Sequence, residues 1–153
     1  SRAGKSVRVN EKQFRPLGRV SRGVRGMQVD GSELVGMDVL QPGKSILVIT
    51  SKGFGKRTTE EAYRPQSRGG KGVFNIRVTE RNGDVVGFRQ AGVEDEILLI
   101  TDRGRLIRLS ANEIREIGRV TQGVKLMGLD EGEQVVDLEV FPEPEESREE
   151  EEN

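Results

Sequence analysis

Apolar residues in this chain gather into short runs separated by glycine-bearing turns, and the runs recur. Ile46-Leu47-Val48-Ile49-Thr50 and Ile97-Leu98-Leu99-Ile100-Thr101 are continuous apolar stretches, the pattern of strands covered on both faces. Each enters a tight turn, Ser51-Lys52-Gly53 or Asp102-Arg103-Gly104, and shorter mixed strands are predicted at 54–58 and 105–109. Farther on, Phe74, Ile76 and Val78 alternate with Asn75, Arg77 and Thr79, which predicts a half-buried strand. Asn82-Gly83 is the strongest hairpin signal, because both residue types tolerate the positive φ of a type I′ turn. Asp30-Gly31 and the Asp130–Gly132 stretch stand at equivalent places, and return strands are predicted from Leu34-Val35-Gly36, Val85-Val86-Gly87 and Val135-Val136-Asp137.

Laid on itself, the chain repeats with a period of roughly 50 residues. Gly4, Gly53 and Gly104 correspond at steps of 49 and 51, and so do Gly23-Val24, Gly72-Val73 and Gly123-Val124. Between these anchors run loops 10–22, 59–71 and 110–122, whose fifth positions hold Phe14, Tyr63 and Ile114. Four strands in each unit of this length is the habit of a propeller-like blade. The fold class is therefore all-β, an array of about three four-stranded blades at residues 1–45, 46–95 and 96–141. Three blades do not close a propeller ring of four or more, so the chain is expected to be the C-terminal part of a longer parent. From Pro142 the composition turns to Pro and Glu, and residues 142–153 are expected to form a disordered acidic tail.

Charge sharpens the picture. Residues 1–127 carry 24 Lys and Arg against 14 Asp and Glu, net +10, while 128–153 carry one Arg against 12 acids, net −11. A basic body calls for a polyanion. The chain has no Cys and no His, so zinc, iron and copper sites and His-based nucleophilic catalysis are disfavoured or excluded. Only a carboxylate site for Mg²⁺ or Ca²⁺ is left open, and no EF-hand spacing appears. No catalytic residue, cofactor site or metal site is assigned in this chain. The lack of Cys fits a reducing cytosol, and no apolar run of about 18 residues offers a membrane span.

Three columns of the repeat are arginine throughout: Arg8/Arg57/Arg108, Arg15/Arg64/Arg115 and Arg19/Arg68/Arg119. Lys52/Arg103, Arg22/Lys71 and Arg25/Lys125 are basic in two repeats of three. A turning stack of repeats sets such columns along one rim, and guanidinium groups suit phosphate through two parallel hydrogen bonds. The competing account is salt bridging between repeats, for instance through Glu11 and Glu60. In Gln66-Ser67-Arg68-Gly69-Gly70-Lys71-Gly72 the glycines would let backbone N–H groups turn outward to a phosphate. The full Walker spacing is missing, which disfavours nucleotide binding. The chain has six aromatic residues, Phe14, Phe54, Tyr63, Phe74, Phe88 and Phe141, and no Trp. Most are expected in the core, Tyr63 as a packing plug. Scarce stacking platforms point to duplex rather than single-stranded nucleic acid.

On these residues the chain resembles the C-terminal domain of the DNA gyrase A subunit. The likeness rests on the repeat, on Lys56-Arg57-Thr58, on Val78-Thr79-Glu80-Arg81-Asn82-Gly83 and on Gly118-Arg119-Val120-Thr121-Gln122-Gly123-Val124. Residues 66–72 resemble that family's signature heptapeptide Gln-Arg-Arg-Gly-Gly-Lys-Gly, departing from it at Ser67. The resemblance implies a β-pinwheel of usually six blades whose rim wraps double-stranded DNA, with this chain the last three. It further implies a cytoplasmic bacterial assembly of two A and two B subunits that introduces negative supercoils, with the cleavage tyrosine, Mg²⁺ and ATP acting in other domains. Two alternatives stand beside it: the equivalent domain of the topoisomerase IV A subunit, and a propeller-type protein-interaction platform. The tail raises a separate expectation, competition with DNA for the basic rim.

Overall fold

The computed structural model describes residues 1–142, so the tail expected at 142–153 lies, from residue 143 on, outside the described residues. Among the described residues eleven strands follow one another: β1 Lys5–Ser6, β2 Arg8–Val9, β3 Ser45–Thr50, β4 Phe54–Thr58, β5 Pro65–Gln66, β6 Val73–Phe74, β7 Val85–Ala91, β8 Glu96–Thr101, β9 Leu106–Ser110, β10 Val124–Lys125 and β11 Val135–Phe141. Single 3-10 turns at Glu11–Gln13, Glu60–Ala62 and Ala111–Glu113 open the three equivalent loops. Among the described residues there is no α-helix, and no helix is long and apolar enough to cross a membrane.

The two apolar runs are the central strands. All six residues of β3 are buried, because the strand has a core on each side. Ile46 and Val48 join Tyr63, Ile76 and Val85 on one face. Leu47 and Ile49 join Ile97, Leu99, Ile114 and Leu138 on the other. β8 buries Ile97 and Leu99 and leaves Leu98 and Ile100 only partly covered. Repeats are thus glued face to face by alternate residues of the central strands.

They are also stitched edge to edge. The middle sheet runs β10-β4-β3-β7, and β10 comes from the third repeat. Its register, Val124 opposite Gly55 and Lys125 opposite Phe54, is repeated one unit earlier where β6 meets β1, Val73 opposite Ser6 and Phe74 opposite Lys5. The second and third repeats therefore each lend a two-residue strand to the repeat before them. Glycine makes this approach possible. Gly123 has φ +76°, and a Cβ there would sit 2.8 Å from the Gly55 carbonyl oxygen. Gly72, with φ +74°, would collide in the same way with the Ser6 carbonyl. That collision explains the glycine of the Gly-Val pairs at 72 and 123; at Gly23, where a Cβ would meet nothing, only the positive φ of +76° favours glycine.

Several expectations are corrected. Among the described residues only the middle repeat has a four-stranded sheet; the third contributes β11-β8-β9, and the first has short pairings with no strand over Leu34-Val35-Gly36. The strand expected through Val78 stops at Phe74, since Asn75 turns inward so that its Oδ1 accepts from the Tyr63 hydroxyl. Asn82 keeps a negative φ and is fully buried, accepting from the Thr79 amide and donating to the Arg77 and Gln122 carbonyls. It braces the turn instead of forming a type I′ pair. The positive-φ pair is Asp30-Gly31, at +48° and +81°. Of the aromatics, Phe54 and Tyr63 are buried and Phe88 half-buried, whereas Phe14, Phe74 and Phe141 are exposed.

Candidate nucleic-acid interface

The three loops leave the strands with one backbone geometry. The residue closing each 3-10 turn is extended: Phe14 at φ −107°, ψ 96°, Tyr63 at −106°, 101° and Ile114 at −87°, 117°. Tyr63 and Ile114 point into the core. In an extended backbone the next side chain faces the opposite way, and that next residue is Arg15, Arg64 or Arg115. All three are exposed, and among the described residues none is in a salt bridge. Arg19, Arg22 and Arg68 are exposed on the same loops, and Arg25 is exposed just beyond the first of them. Arg119 is half-buried; it donates to the Phe74 carbonyl at 2.8 Å, and its guanidinium lies 6.0 Å from the Tyr63 ring centre. Glu11 and Glu60 pair with none of these arginines among the described residues, although other acids engage other basic residues.

The first arginine column has a different use. Arg8 donates to the Tyr63 carbonyl at 3.2 Å and the Glu60 carbonyl at 3.0 Å. Arg57 donates to the Ile114 carbonyl at 3.0 Å and lies 3.8 Å from Glu116. Tyr63 and Ile114 are equivalent, so these are the same strut built twice, from one repeat to the loop of the next. The strut continues along the backbone: Arg8 pairs with Pro65, and Arg57 with Glu116, both in parallel. Arg57 is buried, which takes its side chain off the expected rim. Arg108 instead pairs with Glu96. Lys52 and Arg103 form a second strut column, donating to the equivalent Glu80 and Glu131 carbonyls across the hairpin turns while their side chains stay exposed.

The glycine-rich stretch 66–72 also differs from expectation. The Arg68 amide donates to Gln13 Oε1 at 3.0 Å, and the Gly69 amide donates to the Gly26 carbonyl at 2.6 Å. Gln13 Nε2 donates to the Gln66 carbonyl, and the Gln28 amide donates to the Gly70 carbonyl. Two of the amides expected to face a phosphate are therefore spent clasping the first repeat. The side chains of Arg68 and Lys71 remain exposed, Lys71 with its ammonium 3.2 Å from Asp30. The Gln28 side-chain amide, and after it that ion pair, hold the Asp30 carboxyl below its ordinary range. Lys125 is exposed beside Lys52, Arg81 and Glu133, around an open cleft of about 440 Å³.

The loops also differ in charge. Loop 10–22 has Lys12, Arg15, Arg19 and Arg22 against Glu11; loop 59–71 has Arg64, Arg68 and Lys71 against Glu60 and Glu61; loop 110–122 has Arg115 and Arg119 against Glu113 and Glu116. Positive charge thus declines from the first repeat to the third. Sequence reasoning missed Lys56, a fully buried lysine, because its column holds Val7 and Ile107 and shows no repeated polarity. No cluster of acids able to hold a metal occurs among the described residues.

This architecture has known counterparts. A solved structure described as the DNA gyrase A C-terminal domain superposes with TM-score 0.81 at 24% identity, over 92% of this chain and 48% of that one. The C-terminal domain of a DNA topoisomerase IV superposes with TM-score 0.84 at 23% identity, over 91% and 44%. At such identities these two establish the fold alone. In sequence, the chain is 45% identical over 145 residues to the DNA gyrase A subunit of Salmonella typhimurium, covering 94% of this chain and 16% of that protein. It is 39% identical over 155 residues to the gyrase A protein of Chlamydia muridarum, covering 100% and 19%. The chain thus spans about a sixth of the length of the curated relatives it matches. A model of the family described as DNA gyrase C-terminal domain, beta-propeller, matches residues 1–41, 44–91 and 95–142, nearly the whole described chain in three consecutive pieces. With blades joined face to face by β3 and β8 and three matches in register with the repeat, the chain belongs to the DNA gyrase C-terminal domain family.

Proposed function

We propose that this chain holds double-stranded DNA by its phosphates along the exposed arginines of successive loops, as the wrapping part of a bacterial, cytoplasmic DNA gyrase. The observation that carries this reading is the equivalence of Arg15, Arg64 and Arg115, three exposed guanidinium groups in no salt bridge among the described residues, projected from three turns of like backbone geometry. Arg19, Arg68 and Arg119 flank them, with Arg22, Arg25, Lys71 and Lys125 adding charge. Arginine binds phosphate through a planar fork and keeps its charge at any physiological pH. A surface of this kind positions duplex without reading bases. Bending a few tens of base pairs costs several kcal/mol, about 1–6 by elastic estimates, which contacts spread over several blades offset.

In the proposed assembly this chain continues into the rest of the A subunit, which joins the B subunit. Strand cleavage, Mg²⁺ and ATP belong to those other parts, and wrapping presents a neighbouring duplex segment to them. Identities of 39–45% to proteins named as gyrase favour gyrase over topoisomerase IV.

Salt dependence of duplex binding tests the reading. Six phosphate contacts, one for each arginine of the two loop columns, give a log–log slope near −5. A slope near zero would instead favour a protein-interaction platform and overturn the proposal.

A further inference from the structure

Lys56 lies in the middle of β4, its side chain fully buried. A lysine in that position ordinarily has a carboxylate partner. Here none comes within ion-pair range among the described residues. Its ammonium donates instead to the Gly118 carbonyl at 2.7 Å, the Arg119 carbonyl at 2.9 Å and the Thr58 hydroxyl at 3.1 Å. Thr58 in turn donates to the Ile117 carbonyl at 2.8 Å. Three consecutive carbonyls, 117 to 119, therefore converge on two side chains of the preceding repeat. The turn they belong to is tied further by the Thr121 amide, which donates to the Arg119 carbonyl at 3.0 Å.

The other junction is held differently. At Lys56's place the first repeat has Val7, and the turn at Ser67-Arg68 is fixed from outside by Gln13. The third repeat's loop has no net charge of its own, so the placement of Arg119 matters most there. Arg119 is also the loop arginine restrained at its tip, by the Phe74 carbonyl.

We propose that Lys56 is a positioning residue for the DNA-facing turn of the third repeat, its buried ammonium clamping the Gly118 and Arg119 carbonyls so that Arg119 is held ready for a phosphate. The proposal rests on the DNA-holding function argued above. It has a consequence for protons. An ammonium has three donors for three acceptors; the neutral amine has two and turns a lone pair toward a carbonyl. The charged groups on the elements around Lys56 are Arg119 and Glu116 from the loop, Arg57 on its own strand and Lys125 on β10, while β3 presents Val48 opposite it. Glu116 is taken by the Ser45 hydroxyl at 2.7 Å and by Arg57. Burial, with the Arg119 charge adding to it, lowers the Lys56 ammonium to about 8. A phosphate bound at Arg119 offsets that repulsion and favours the charged lysine. Duplex binding and protonation of Lys56 then reinforce one another.

The test uses the full chain, its Lys56→Met, Lys56→Arg and Arg119→Ala variants and the Lys56→Met/Arg119→Ala double variant, with a labelled duplex at low salt. Wild-type affinity is expected to fall about threefold to tenfold between about pH 7 and pH 9.5, the range across which a lysine of this kind titrates. Lys56→Arg stays charged and is expected to lose that pH dependence. Lys56→Met is expected to weaken binding in the wild-type background and to add little once Arg119 is gone. In the protein without DNA, amide exchange at Thr121 and Ile117 is expected to quicken in Lys56→Met, with Gly69 at the other junction unchanged. Equal pH profiles for wild type and Lys56→Arg, or an undiminished Lys56→Met effect in the Arg119→Ala background, overturn the coupling. Unchanged exchange at Thr121 overturns the clamp itself. If wild type binds no duplex, the functional reading and the coupling fall together, and the exchange measurement still decides the clamp.

Discussion

Replacing Arg57 by Ala is expected to damage the fold and leave DNA binding nearly intact, although Arg57 belongs to a column that looks like part of the basic rim. Its guanidinium makes one well-formed bond, to the Ile114 carbonyl at 3.0 Å, and one weak ion pair, to Glu116 at 3.8 Å. The backbone bonds on either side, Arg57 amide to Arg115 carbonyl at 3.1 Å and Ile117 amide to Arg57 carbonyl at 2.9 Å, survive the substitution. A hydrogen bond from a charged donor is worth about 1.5–3 kcal/mol. The ion pair adds little, because Glu116 is partly solvated and the separation is long. Losing the buried stem removes packing as well. The expected cost is therefore about 2–3 kcal/mol, or roughly 5–10 °C in Tm for a domain of this size. Urea and thermal unfolding followed by circular dichroism measure it, with duplex titration of the same sample alongside. A variant of normal stability that binds duplex many times more weakly would refute the strut and return Arg57 to the rim.

Two further outcomes follow from local geometry. Gly123→Ala places a Cβ 2.8 Å from the Gly55 carbonyl at φ +76°; strain and overpacking together are expected to cost about 2–4 kcal/mol, read as a lower urea midpoint, and unchanged stability would deny the strand exchange. Glu133, hydrogen-bonded by the Asp130 amide, the Thr101 hydroxyl and Arg105, is held down to about 2 from an ordinary 4.5. With the folded value the lower one, its contribution is complete above about pH 5 and fades as pH falls toward 2. Glu133→Gln is therefore expected to flatten the acid limb of the stability–pH curve, and a curve parallel to wild type would refute that assignment.

Much of this architecture was legible in the sequence, and what escaped did so for physical reasons. The apolar runs gave β3 and β8: β3 is covered on both faces and needs no alternation, whereas β8 is just as apolar although its second face is only partly covered. The exchanged strands β6 and β10 are two residues long and carry no period; only their Gly-Val pair, forced by the approach to Ser6 and Gly55, betrays them. Asn82-Gly83 and Asp30-Gly31 read alike as turns, yet burial of Asn82 as a brace leaves the positive-φ pair to Asp30-Gly31. Identity alone did not separate the arginine columns. Arg8 and Arg57 sit on strands that face the next repeat's carbonyls, while Arg64 and Arg115 follow an inward residue in extended backbone and must face out; Arg15 follows the exposed Phe14 in the same backbone geometry and is itself exposed. Lys56 was hidden because a polar residue in an otherwise apolar column gives no repeat signal.

The central claim is tested most directly by the salt dependence of duplex binding for Arg15→Ala/Arg64→Ala/Arg115→Ala beside wild type. Each phosphate contact contributes about 0.9 to the log–log slope, so the account predicts a change from near −5 to near −2.5, with stability within about 0.5 kcal/mol of wild type per site. An unchanged slope would contradict it, since the three loop arginines would then not be where the DNA backbone lies.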